Sequence, residues 1–115
     1  MRKIEAAMND AILTSKDWEK DNTSVVYYND TKESEVYLYG NHIATVGHNF
    51  VQLFSRGYRT ATTKSRLNAI LAEHGIAGEC VFQHKGEWLV RKYVGQLGTT
   101  PIFMEKEFTE GMILS

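Results

Sequence analysis

One cysteine, one proline and no long apolar run: these scarcities bound the 115-residue chain before any motif is considered. With Cys80 alone, an intramolecular disulfide is excluded. With Pro101 as the only proline, and no internal repeat or low-complexity stretch, the chain is neither fibrous nor a disordered linker. A stretch of about 18 apolar residues would be needed for a membrane-spanning helix, and none is present. The opening also lacks the charged-then-apolar order of a secretory signal, so a cytoplasmic setting is expected. Charge of one sign is lacking too. Thirteen basic and fourteen acidic residues leave a net charge of -1, so no overall field draws the chain to nucleic acid or to a membrane surface. There is no glycine-rich phosphate loop and no nucleophile elbow.

What is present is the composition of one soluble domain, residues 1–115. A chain of this size buries about two-thirds of its unfolded surface, which leaves little room for both a scaffold and a deep active site, and self-association would help it. Ile4, Ala7, Met8, Ala11 and Ile12 recur at steps of three and four and predict an amphipathic helix from Arg2 to Leu13. The polar segment Thr14 to Thr23 reads as a loop that Trp18 pins to the body. From Thr23 the period changes to two. Ser24–Tyr28 and Glu35–Tyr39 are rich in β-branched and aromatic residues and flank the turn formers Asn29 to Lys32. A tight Gly40-Asn41 connection leads to His42–Val46, and Gly47 to Asn49 separates that strand from Phe50–Phe54.

After a polar loop, Leu67, Ile70, Leu71 and His74 fall at helical spacing. Thr62 or Thr63 is the expected cap of this second helix, and Gly75 the expected left-handed residue after it. Cys80–Gln83 and Trp88–Arg91 then predict a hairpin about the turn His84 to Glu87. The tail is expected to add a short edge strand or a partner contact. The class is α+β: an antiparallel meander plus a C-terminal hairpin, with an N-terminal helix and a second helix packed on the sheet.

Charge placement is the most informative feature. Residues 1–35 carry five basic and eight acidic side chains, residues 36–72 four basic and none acidic, and residues 73–115 four basic and six acidic. The central cations, Arg56, Arg59, Lys64 and Arg66, lie in the loop and first turn of the second helix. Free amides and the macrodipole make a helix start suited to anions, and Thr60, Thr62, Thr63 and Ser65 add hydroxyls there. Arginine adds bidentate recognition of phosphate. The cluster therefore reads as a phosphate-bearing ligand site, with Tyr58 or another aromatic stacking a base. The competing reading is a solvated basic face.

Other chemistry finds less support. His42, His48, His74 and His84 form no pair at the i, i+4 spacing of a helical metal site, and no second cysteine joins them. Cys80 and His84 would share a strand face without meeting as nucleophile and base. Glu105, Glu107 and Glu110 read as a charged edge that protects a late strand. Tyr27, Tyr28, Tyr37, Tyr39, Phe82 and Trp88 read mainly as sheet packing. No metal or cofactor is expected, nor catalysis.

The stretch Val36-Tyr37-Leu38-Tyr39-Gly40-Asn41-His42-Ile43-Ala44, the stretch Gly57-Tyr58-Arg59-Thr60-Ala61-Thr62-Thr63-Lys64-Ser65-Arg66-Leu67-Asn68-Ala69-Ile70-Leu71, and Glu87-Trp88 together resemble the Thoeris anti-defence sponges of bacteriophages. They lie within residues 36 to 88, about half of the chain. The resemblance implies an oligomer, from a dimer up to a hexamer. It implies capture of an intact cyclic ADP-ribose isomer, or of a cyclic oligonucleotide, in the cytoplasm of a bacterial host. It assigns Arg56, Arg59, Thr62, Thr63, Lys64 and Arg66 to phosphates and Phe82 or Trp88 to the base. The C-terminal part departs from the pattern, because after Lys92 the only basic residue is Lys106. Three other functions compete. A phage inhibitor could dock the basic face on a host or defence protein, an enzyme could cleave the nucleotide, and single-stranded nucleic acid could bind weakly and salt-sensitively.

Overall fold

The computed structural model describes residues 1–114. Helix α1 (Lys3–Leu13) forms where the apolar period places it. It buries Met8, Ala11 and Ile12 against the body, and Glu5 and Asn9 are buried with them. The segment after it differs from expectation. Trp18–Lys20 is a short strand, β1, paired antiparallel with β2 (Thr23–Tyr28), with Trp18 opposite Val25. Three residues are too few for a readable alternation, and it is the neighbouring strand that supplies the order.

Strands β3 (Glu33–Leu38), β4 (Asn41–Val46) and β5 (Val51–Leu53) continue the meander. β3 shows the alternation directly, with Ser34, Val36 and Leu38 buried between half-buried neighbours. The β3–β4 turn lies one residue earlier than expected. Tyr39 and Gly40 are its two central residues, both at positive φ (51° and 77°), and Asn41 already pairs with Leu38. Two positive φ values define the turn twist that matches a right-handed hairpin.

Helix α2 (Ala61–His74) is capped by Thr60, whose hydroxyl accepts from the Thr63 amide at 3.2 Å. The expected caps, Thr62 and Thr63, are instead inside the first turn. Gly75 is not left-handed either: its φ of -93° and ψ of -170° are extended. Glycine stands there for space, because a Cβ would lie 2.8 Å from the Leu71 carbonyl oxygen.

Strands β6 (Cys80–His84) and β7 (Glu87–Leu97) form the expected hairpin, turning at Lys85-Gly86. The tail supplies two strands rather than one. β8 (Thr100–Glu107) pairs with β7, whereas β9 (Met112–Leu114) crosses to the other sheet and pairs with β5. The result is a six-stranded antiparallel sheet, β1-β2-β3-β4-β5-β9, and a three-stranded one, β6-β7-β8. This is the α+β architecture read from the sequence. α1 packs on β2 and α2, and α2 bridges β4, β5 and β6. Val36, Ile43, Leu53, Leu67, Ile70, Val81, Val90 and Phe108 fill the core between them.

Candidate functional site

A cavity of about 410 Å³ opens where the β3–β4 turn meets the loop before α2. Buried Leu38 and Ile43 give it an apolar base, and Ser55, Thr60 and Thr63 add hydroxyls. Tyr39 and Tyr58 stand at it 73% and 58% exposed, two phenol rings with no core to fill. Tyr39 reaches this place from a left-handed backbone (φ 51°), a conformation that a bulky residue adopts at a cost of about 1–3 kcal/mol. Its amide is tied to the Asn22 carbonyl at 2.8 Å.

The loop that carries Tyr58 is a second turn of the same kind. Arg56 and Gly57 have φ of 53° and 82°, and the Tyr58 amide donates to the Ser55 carbonyl at 2.9 Å. Glu110 holds it from below. Its carboxylate accepts from the Ser55 amide (3.0 Å), the Ser55 hydroxyl (2.6 Å) and the Arg56 amide (2.7 Å). Burial pushes the Glu110 carboxyl up, but these bonds and the nearby Arg59 outweigh it and hold the group below its ordinary value. Glu110 is therefore no edge-protecting charge. It is an exposed carboxylate fixed at the loop's own cluster of amides.

Arg56 is held from β4. Its Nε donates to the His42 carbonyl at 2.9 Å, its Nη2 lies 3.1 Å from His42 Nδ1, and its guanidinium covers the Phe54 ring at 4.3 Å. A guanidinium only donates, so His42 Nδ1 must accept, and the ring is neutral with its proton on Nε2, 2.8 Å from the Thr45 hydroxyl. Burial is the first reason that the His42 pKa is lowered. Glu35 opposes the shift and Arg56 adds to it.

The four cations do not act as one cluster. Arg56 and Arg59 stay on the exposed loop, Arg59 above the rings of Phe108 (5.3 Å) and Trp88 (5.8 Å). Lys64 is half-buried on α2 and has no ion-pair partner among the described residues. Arg66 is 3% exposed, and its donors are taken by Glu5 (2.8 Å), the Thr23 hydroxyl (3.0 Å) and Asn22 (3.2 Å). A side chain so placed cannot reach a phosphate, and its charge is matched by α1. Trp88 is corrected likewise: it is 2% exposed, edge-on to Phe108 at 5.3 Å, and has no face free for a base. Phe82 is half-buried on β6 and does not line the cavity.

Of the expected residues, Tyr58 and Thr63 line the cavity, Arg56 and Arg59 stand in its loop, and Thr62 is half-buried in the first turn of α2. The sequence reading missed Leu38, Tyr39, Asn41, Ile43 and Ser55 as lining residues. The signal for Tyr39 was its place beside Gly40, where a two-residue turn throws the aromatic outward. α2 has no acidic residue in its first turn, and the amides of Ala61 and Thr62 precede the capped one. The arrangement offers hydroxyls, amides and phenol faces, which is the equipment of binding. Among the described residues no group of three or more His, Cys, Asp or Glu side chains could hold a metal ion, and no helix is long and apolar enough to cross a membrane.

No curated protein and no solved structure matches the chain. The family model described as Kyanoviridae Gp96 protein matches it over residues 1–115.

Proposed function

The chain belongs to the Kyanoviridae Gp96 family of phage proteins, and from that premise we propose that it is an anti-defence sponge, which binds a cyclic nucleotide immune signal and withholds it without degrading it. The cavity between Tyr39 and Tyr58, opening on the start of α2, is the observation that carries this reading. Its size lies in the range of small-ligand sites, about 300–1,000 Å³. A base would stack on one of the two exposed phenols. The phosphates would meet the Ala61 and Thr62 amides and the Thr60 and Thr63 hydroxyls, where the helix dipole favours negative charge, and Arg56 and Arg59 would have to swing from their present places on the adjoining loop to join them. Arg66 and Trp88 leave the contact set and become supports of the fold. A cyclic ADP-ribose isomer has the required combination of base and pyrophosphate. Sequestration is stoichiometric, so the dissociation constant must lie well below the signal concentration.

Isothermal titration with cyclic ADP-ribose isomers, followed by heat release and mass analysis, tests this. Binding should occur, Tyr39→Ala and Tyr58→Ala should each weaken it at least about tenfold, and the released ligand should keep its mass. A released product would make the protein an enzyme. Absence of binding to any isomer or cyclic oligonucleotide, with a stable complex to a host or defence protein instead, would replace the sponge by a direct inhibitor.

A further inference from the structure

Residues 94–104 hold four of the ten large apolar side chains that the described residues expose: Val94, Leu97, Ile102 and Met104, each 43% to 76% exposed. Apolar surface gathered in this way marks a contact surface. The segment is the outer half of the β7–β8 hairpin. β6 pairs with β7 only from Glu87 to Arg91, so from Lys92 to Leu97 β7 has only β8 as a sheet neighbour. A two-stranded ribbon is marginal in water by itself.

The strand register shows what each face of this arm carries. Lys106 lies opposite Val90, Met104 opposite Lys92, Ile102 opposite Gly95 and Thr100 opposite Leu97. One face therefore runs outward from buried Trp88 and Val90 through Met104, Ile102 and Leu97. It is the core face of the sheet, continued past the body with none of the described elements packed on it. Lys92 and Lys106 are its only charges. Arg91, Glu105 and Glu107 belong to the other face, as do Tyr93 and Phe103, which meet at 6.0 Å.

At the far edge of the six-stranded sheet lies a cleft of about 570 Å³, lined by Glu19 on β1, by Asp21 at the β1–β2 turn and by Tyr39 and Gly40 at the β3–β4 turn. Glu19, Asp21 and Tyr39 are exposed there. An aromatic rim with two carboxylates complements an apolar strip flanked by two lysines. We infer that the β7–β8 arm of one copy seats on the Glu19–Asp21–Tyr39 cleft of a second copy, and that the contact is made reciprocally. Tyr39 lines both this cleft and the cavity assigned above to a ligand, so the association is tested on the protein without ligand.

Size sets the strength. Six residues at about 3.3 Å and a ribbon about 10 Å wide give roughly 200 Å² for the arm's face. Two reciprocal contacts bury roughly 800 Å² in all, below the 1,200–2,000 Å² of stable complexes, so the association is reversible and concentration-dependent.

Sedimentation velocity on the full chain over about 5–200 μM, a range chosen to span micromolar affinity, provides the test. The wild type should self-associate, and more weakly as salt is raised. Ile102→Ser with Met104→Ser, which removes apolar area without adding charge, should loosen association at least about tenfold. Lys92→Glu with Lys106→Glu should be monomeric, as should Glu19→Lys with Asp21→Lys, because arm and cleft then repel within each homodimer. Mixed, the two charge-reversed variants should associate again, since both contacts of the heterodimer are restored. These side chains are exposed or half-exposed, and unchanged far-ultraviolet circular dichroism controls for folding. A wild type that stays monomeric, an arm or cleft variant that associates like the wild type, or a mixture that fails to recover would overturn the inference. So would an arm found to bind only a different protein.

Discussion

Arg66→Ala should unfold the protein more readily, not strip it of a ligand contact. The Glu5 carboxylate and the Arg66 guanidinium meet at 2.8 Å between α1 and α2, each side chain 4% exposed. Ser65 donates to the same Glu5 oxygen at 2.6 Å, and the Arg66 Nε and Nη2 donate to Thr23 and Asn22. Removing one partner leaves the other charge buried and unmatched, at a cost of about 3–5 kcal/mol. A chain of this length has a net stability of roughly 6–17 kcal/mol, so the loss is a large fraction. With about 2.1 cal/mol/K of unfolding entropy per residue, or roughly 0.24 kcal/mol/K for the chain, Tm falls by about 12–20 °C for either Glu5→Ala or Arg66→Ala. Calorimetric melts at pH 7 measure it. The double variant Glu5→Leu with Arg66→Met should lie much closer to the wild type, because apolar replacement removes both desolvation penalties. Single variants melting within about 3 °C of the wild type would refute the reasoning. Burial raises the Glu5 pKa, but the Ser65 and Arg66 bonds outweigh it and leave the group below its ordinary value. A carboxyl lowered on folding stabilises above its unfolded pKa of about 4.3, and the contribution is lost as pH falls through the folded value.

Glu110→Ala should cost about 2–3 kcal/mol, because the Ser55 amide, in a residue 1% exposed, loses its acceptor while water reaches part of the site; a denaturant midpoint unchanged from the wild type would contradict this. His42 should titrate below about 6.5, and since its pKa is lowered on folding, stability should fall as pH drops from that value towards the folded one. Proton NMR of the His42 ring checks it, and a midpoint at or above 6.5 would show that Arg56 does not require the neutral ring. Thr60→Ala should lower stability by about 1 kcal/mol through loss of the α2 cap, whereas Thr62→Ala should have little effect in the same melt.

The legible parts of this chain were those whose cause is local. The stripe of α1, the alternation of β3 and the helical spacing of Leu67, Ile70 and Leu71 follow from backbone period alone, and each element formed within a few residues of its expected limits. Turn chemistry located both tight hairpins to within a residue, at Tyr39-Gly40 and Lys85-Gly86. β1 was not legible, because it is too short to show a period. A short edge strand was expected in the tail, but not its division into β8 and β9, because β9 takes its order from β5, some sixty residues earlier in the chain. Of the residues that line the candidate cavity, Tyr58 and Thr63 were singled out from the sequence, while Tyr39 and Ser55 were not.

By itself, then, the sequence determined which residues carry positive charge and that no acidic residue lies among them from 36 to 72. Only the tertiary structure decided what each charge does. Glu5 reaches Arg66 across 61 residues, and Glu110 reaches Ser55 across 55. An ion pair depends on distance in space and on exclusion of water, neither of which is written in the spacing of residues along a chain. Four neighbouring cations could therefore be counted from the sequence, but only the packing of α1 against α2 turned one of them inward, while Arg56 and Arg59 stayed on the exposed loop with their guanidinium groups on the Phe54 and Phe108 rings.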